Sequence, residues 1–244
     1  MTETLAPTTD TSATDTSATD TSAADSSATD TSATDSSAET PITDPDGIIA
    51  YPALDRPAAF TRENLGCVPW LEPIAEEHLT EAHWDALVDR GRAKSEYFRL
   101  LARDPEILRA RTKTDNDIFY NKNAGLPRAE RELSAAAASR SNGCIFCASV
   151  HSRFAAHFSK REDDVQRLLD DGVDAPQDER WTAIVQASVA LTATPIALTA
   201  AHLDALRAAG LDDLAISDVI HGASFFNWAN RLMLSLGEPQ NPQG

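Results

Sequence analysis

From Thr80 to Leu236 the large apolar residues recur three or four positions apart, in stretches separated by helix caps and breakers. That spacing restricts the region to packed amphipathic helices. No segment alternates with period two for long enough to make a strand, so the fold class is all-α. Thr80 caps a first helix whose stripe (Trp84, Leu87, Val88, Gly91, Ser95, Phe98) runs to about Leu101. Asp104 followed by Pro105 opens a second through Ile107, Leu108, Arg111 and Ile118. Gly125, Leu126 and Pro127 break it and start a third, from about Pro127 to Arg140, whose Ala135 to Ala138 run predicts close helix packing. Ser141, Asn142 and Gly143 interrupt again, and the next helix begins near Cys144, passes Phe154 and Phe158 and ends at about Ser159. Further helices are expected at about 163–171, 178–193 and 199–209, the last with Gly210 at its C-terminal cap. A long final helix from about Asp213 to Leu236 is stopped by Gly237 and Pro239.

Ahead of the helices the chain has a different character. Residues 46–73 are rich in Pro and turn formers, with Tyr51, Phe60 and Trp70 as scattered apolar anchors, and are expected to wrap over the helical body. Residues 1–46 consist almost wholly of Thr, Ser, Ala, Asp and Pro, with Asp at every fifth position from Asp10 to Asp35. A period of five matches neither helix nor strand, and so few large apolar residues cannot offset the entropy of ordering, so this segment reads as a disordered acidic tail before a single domain at 47–244. The tail also explains most of the formal charge of −17: it holds ten acids and no Lys or Arg, leaving 28 acids against 21 bases in the domain. An ordinary acidic domain of this kind lacks the basic stripe of a nucleic-acid binder. No apolar run is long enough for a membrane span and no secretory leader is evident, so a cytoplasmic protein without membrane partners is expected. Three cysteines are too few for a disulfide scaffold.

The chemistry concentrates at Cys144-Ile145-Phe146-Cys147, followed after three residues by His151. On a helix these three side chains share one face, and Cys residues three apart lie within disulfide reach. A helix N-terminus favours the thiolate, the reactive form of cysteine, and a neighbouring imidazole can take the proton. Two other readings stand beside redox chemistry. Cysteines on an apolar face often serve as small buried hydrophobes. Zinc is the other reading, with His157 as a fourth ligand, although four ligands on one helix close a tetrahedron poorly. Cys67, in Leu-Gly-Cys-Val-Pro, has no partner in the sequence and reads as structural. His221, Phe225, Phe226 and Trp228 read as core, and Asn227, Asn230 and Arg231 as bridges between helices or subunits.

Glu132, eleven residues, Cys144-x-x-Cys147, three residues, His151 resembles the active-site pattern of the AhpD-like alkylhydroperoxidase/carboxymuconolactone decarboxylase superfamily. The segment GLPRAERELSAAAASRSNGCIFCASVHSRFAAHFSKR and the closing Phe-Asn-x-x-Asn-Arg at 226–231 resemble its peroxidase-related branch. Together the likeness spans about residues 68 to 238. It implies an AhpD-like helical domain and a thiol peroxidase in which Cys147 is peroxidatic, Cys144 resolves, and Glu132 with His151 relays the proton. It also implies a hydroperoxide substrate, a separate thiol or dithiol reductant, assembly as trimers or hexamers, and no cofactor or metal. The pattern departs from the best-known branch at Phe146, where a second His stands between the cysteines, and the family's lactone decarboxylases lack the cysteine pair altogether. A non-catalytic redox sensor or scaffold of the same fold is the alternative.

Overall fold

The computed structural model describes residues 40–242, so nearly all of the tail lies outside the described residues. Nine α-helices dominate them, and several open on a side-chain cap. Helix α1 (Glu81–Leu87) begins at a Thr80 capping box, closed reciprocally by His83. Helix α2 spans Glu96–Leu101. Helix α3 (Pro105–Tyr120) opens on Asp104, whose carboxylate accepts from the Ile107 N–H at 3.1 Å, with Pro105 in the first turn where its missing donor costs nothing.

Next come α4 (Arg128–Ser141), α5 (Ile145–Ser159) and α6 (Glu162–Asp170). Helix α7 (Glu179–Thr192) is capped by Asp178, α8 is Ala200–Ala208, and α9 (Asp213–Leu234) is capped by Asp212.

Helix α4 lies at the centre. Every residue from Glu130 to Ser139 is buried, with α5, α7 and α9 packed around it. A helix enclosed on all sides needs small side chains if its neighbours are to approach closely, and Ala135 to Ala138 provide them, as expected. One apolar cluster joins α4 to Trp181, Ile184, Leu206 and Val219, and a second gathers Tyr97, Phe119, Cys144, Cys147, Phe226 and Met233.

Two features depart from the sequence expectation. The stripe from Thr80 to Leu101 is two helices, because Val88 takes a left-handed φ of 65° and a short 3-10 turn at Arg90–Lys94 follows, tied by Asp89 to the Gly91 N–H. Leu87 and Ala93 on either side of the break still face one satellite cluster, so the apolar spacing carried on through it. The second departure is four short strands. β1 (Ile42–Thr43) pairs antiparallel with β2 (Ile49–Ala50) around Gly47, so this hairpin straddles the boundary drawn at residue 46. β3 (Gly66–Pro69) pairs antiparallel with β4 (Gly237–Gln240), with Cys67 opposite Pro239, and fastens the Pro-rich leading segment to the end of the chain beyond α9.

Candidate active site

The turn between α4 and α5 sets up the site. Gly143 adopts a φ of 77°, and the Cys144 N–H donates to the Ser139 carbonyl at 3.0 Å, ending α4. Cys144 is at the same time the N-cap of α5, its carbonyl accepting from the Ala148 N–H at 2.9 Å. This tight helical hairpin brings the buried Glu132 of α4 beside the buried His151 of α5, with Oε2 and Nδ1 2.7 Å apart. A carboxylate only accepts, so the imidazole hydrogen sits on Nδ1 and the Nε2 lone pair is left as the proton acceptor. The second Glu132 oxygen, Oε1, accepts from Arg128 Nε at 3.1 Å. The Arg128 guanidinium in turn lies over the rings of Tyr120 and Phe158, at 4.2 and 4.3 Å. Phe119 stacks on the imidazole at 5.1 Å between centroids, and Phe226 meets it edge-on at 4.0 Å.

Both thiols are free and buried. The Cys147 S–H donates to the Cys144 sulfur, which also draws on the Cys147 backbone N–H and the Asn230 amide. These hydrogen bonds hold the Cys144 thiol below its ordinary pKa against the opposing effect of burial. Cys147 is pushed well above its ordinary value, first because it is the donor in that bond, then by burial and by charge on Cys144. The two thiols titrate as a pair, and the first thiolate to form is favoured on Cys144. Geometry assigns access the other way. A cavity of about 220 Å³ is lined by Cys147, His151 and Glu132, whereas Cys144 is absent from its wall. Phe98, Phe119, Phe146, Phe154, Phe226 and Met233 make most of its remaining wall apolar.

Residues 105–190 match the carboxymuconolactone decarboxylase family. That stretch, from the start of α3 into α7, is similar to this family. Solved structures with this fold include the alkylhydroperoxidase AhpD core protein from Ralstonia eutropha JMP134, described as peroxidase-related, at 22% identity and TM-score 0.59, covering 69% of this chain and 90% of that one. A peroxidase-related protein from Silicibacter sp. TM1040 is also 22% identical, with TM-score 0.58 and coverage of 75% and 96%. The debrominase Bmp8 is 16% identical, with TM-score 0.55 and coverage of 67% and 88%. No curated protein matches the sequence.

On this helical scaffold the four residues singled out in the sequence come together: Glu132, His151 and Cys147 border one cavity, and Cys144 lies behind Cys147. His157 is exposed near the end of α5, and among the described residues no group of three or more His, Cys, Asp or Glu is arranged to hold a metal ion. Cys67 is closer to the site than its sequence context suggested. It packs against the same apolar cluster, 3.4 Å from the Met233 sulfur, and burial first, with the nearby Cys144, raises its pKa to about 12.

The last helix does more than fill the core. Asn230 is fully buried, donates to Ser139 Oγ at 3.0 Å, accepts from Asn142 Nδ2 at 3.1 Å and hydrogen-bonds the cysteine pair, so it fastens α9 to the turn that presents both sulfurs. Phe226 belongs to the cavity wall, Trp228 is exposed, and His221 is exposed at a separate polar recess. Arg128 was overlooked in the sequence, although its position four residues before Glu132 was a readable ion-pair signal. Among the described residues no helix is long and apolar enough to cross a membrane.

Proposed function

We propose that the protein is a thiol-dependent peroxidase that reduces organic hydroperoxides through the Cys144/Cys147 pair. The observation that carries this reading is a hydrogen-bonded dithiol whose cavity-facing sulfur shares its chamber with a carboxylate-anchored imidazole. In the proposed sequence His151 Nε2 takes one proton from the pair. The proton that remains sits in the S–H···S hydrogen bond, and its passage from Cys147 to Cys144 puts the anion on the sulfur that meets substrate. The Cys147 thiolate attacks the terminal peroxide oxygen, the O–O bond breaks, and the departing alkoxide takes the proton held by His151. Cys147 is left as a sulfenic acid. Cys144, whose thiolate the fold favours, then attacks the Cys147 sulfur, and hydroxide leaves with a proton as water. Dithiol and hydroperoxide become disulfide, alcohol and water, and a separate dithiol reductant restores the enzyme.

Phe146 lines the cavity where the best-known branch carries its second imidazole, so His151 serves as the single base facing the substrate. Homo-oligomeric assembly belongs to the same proposal, and exposed Ile196, Leu214, Trp228 and Leu234 offer apolar surface for it. The deciding experiment is turnover of cumene hydroperoxide in the presence of excess dithiol, with mass spectrometry of the protein after one equivalent of oxidant. Many turnovers and an intramolecular Cys144/Cys147 disulfide are expected. A single oxidation per chain without turnover identifies a redox sensor instead.

A further inference from the structure

The charges around the cavity are paired, with one exception. Glu132 is held by His151 and Arg128, and Asp115 of α3 lies 3.9 Å from Arg92 Nη2. Arg111, one turn before Asp115 on the same helix, also lines the cavity. Its guanidinium lies 5.5 Å from the centre of the Phe98 ring and 5.6 Å from that of Phe225, and its Nε and Nη1 are buried without a hydrogen-bond partner among the described residues. Aromatic faces satisfy part of a cation's charge but accept no N–H hydrogen bond of ordinary strength. Two buried, idle donors on one guanidinium are costly, and a bound anion removes that cost. Arginine suits this role because it keeps its charge under all ordinary conditions and bonds carboxylate oxygens strongly.

We propose that Arg111 binds the carboxylate of the substrate, so that this enzyme acts on small organic acids bearing a hydroperoxide on an apolar or aromatic body. The rest of the cavity fits such a molecule. Its wall is mostly aromatic, and its volume of about 220 Å³ exceeds the roughly 150 Å³ that holds a benzene ring in an apolar cavity. Cys147 and Arg111 border the same chamber, so one ligand can meet both: the carboxylate at α3 and the peroxide at α5. The proposal rests on Cys147 being the peroxidatic thiol only for the chemistry. The anion site stands on the unpaired guanidinium alone.

The test separates the two. Binding is measured by calorimetry on the reduced protein with para-isopropylbenzoate, which cannot react, and with its neutral methyl ester. The wild type should bind the acid at least about tenfold more tightly, the worth of one charge-assisted hydrogen bond. R111Q should abolish the difference, and R111K should retain part of it. Turnover is then compared for para-carboxy cumene hydroperoxide and its methyl ester, with a preference for the acid expected in kcat/KM and carried mainly by KM. Equal binding of acid and ester by the wild type overturns the anion site while leaving the peroxidase reading intact. Preferential binding of the acid without reduction of either hydroperoxide overturns the peroxidase reading and leaves the anion site standing. If R111Q slows acid and ester equally and keeps the preference, Arg111 serves the thiolate rather than the substrate, and the proposal falls.

Discussion

Replacing Glu132 by Gln tests the proton relay with the least disturbance of shape. The amide oxygen can still accept from His151 Nδ1, so the ring keeps its orientation and only the negative charge disappears. That charge matters when the imidazole becomes a cation. For two unit charges about 4 Å apart at an effective dielectric constant of about 20, the attraction is about 4 kcal/mol. Arg128, 3.1 Å from the other carboxylate oxygen, cancels a large part of it. If about half survives, E132Q loses roughly 2 kcal/mol of support for the protonated ring, or about 30-fold in the rate of peroxide-driven disulfide formation. That falls below the 100- to 10,000-fold, roughly, expected for removing a general base outright, as it should when the base is weakened but not lost. The deficit should narrow toward pH 9, where the pair loses its first proton to solvent through the favoured Cys144 thiolate and no longer depends on the imidazole. Stopped-flow oxidation of reduced wild type and E132Q from pH 6 to 9 measures this. Rate profiles that superimpose would falsify the relay and leave Glu132 as a structural partner of Arg128.

Replacing Cys144 by Ser should leave one oxidation at Cys147, trapped by dimedone as the sulfenic acid and visible by mass spectrometry. Cys147→Ser should remove the fast reaction with peroxide, and retention of the wild-type rate would reverse the two roles. Asn230→Ala leaves the buried Ser139 and the sulfurs short of a partner, so chemical denaturation should show a loss of about 1–3 kcal/mol, with slower disulfide closure. Gly125→Ala puts a Cβ 2.5 Å from the Ala215 backbone nitrogen at the start of α9, where nothing flexible can give way, and should cost about 1–3 kcal/mol by the same measurement. Cys67, with its pKa raised to about 12, stays protonated as pH rises through the neutral range, so iodoacetamide at pH 8 should leave it unlabelled while the reduced Cys144/Cys147 pair reacts.

What was legible in the sequence is what neighbouring residues decide. Asp104, Asp178 and Asp212 each fix a helix start through a hydrogen bond to a residue three positions on, and such a signal needs no knowledge of the rest of the fold. The placement of Cys147 and His151 on one face of α5, with Cys144 at its N-cap, is local in the same sense. The break at Val88 was hidden because the apolar spacing continues through it, and only packing of both pieces against one cluster explains why. The β3–β4 pairing joins residues more than 160 apart through strands too short to show alternation. Glu132 as a partner of His151 was reachable by family resemblance alone, since their contact depends on the angle at which the α4–α5 hairpin closes. Asn230, Phe226 and Arg111 gain their importance from where α9 and α3 cross that hairpin, and no residue beside them in the chain announces it.

The crossing of α4, α5 and α9 separates two demands that one sulfur meets poorly. A thiolate that is strongly stabilised by hydrogen bonds is abundant but a weaker nucleophile, whereas a destabilised one is reactive but scarce. Here the Cys147 thiol and backbone N–H stabilise a thiolate on Cys144, which is shielded from the cavity, while the Asn230 amide reaches both sulfurs. Cys147 faces the cavity and carries the cost of burial and of its neighbour's charge. In the proposed reaction, passing one proton along a single hydrogen bond converts the stored anion into the reactive one. In the same proposed sequence, once Cys147 is oxidised, Cys144 gives up the proton it received and its thiolate attacks the neighbouring sulfenic acid. Closure in this proposal competes directly with a second oxidation, and Asn230 from α9, outside the α4–α5 hairpin itself, ties both sulfurs to the turn where closure takes place.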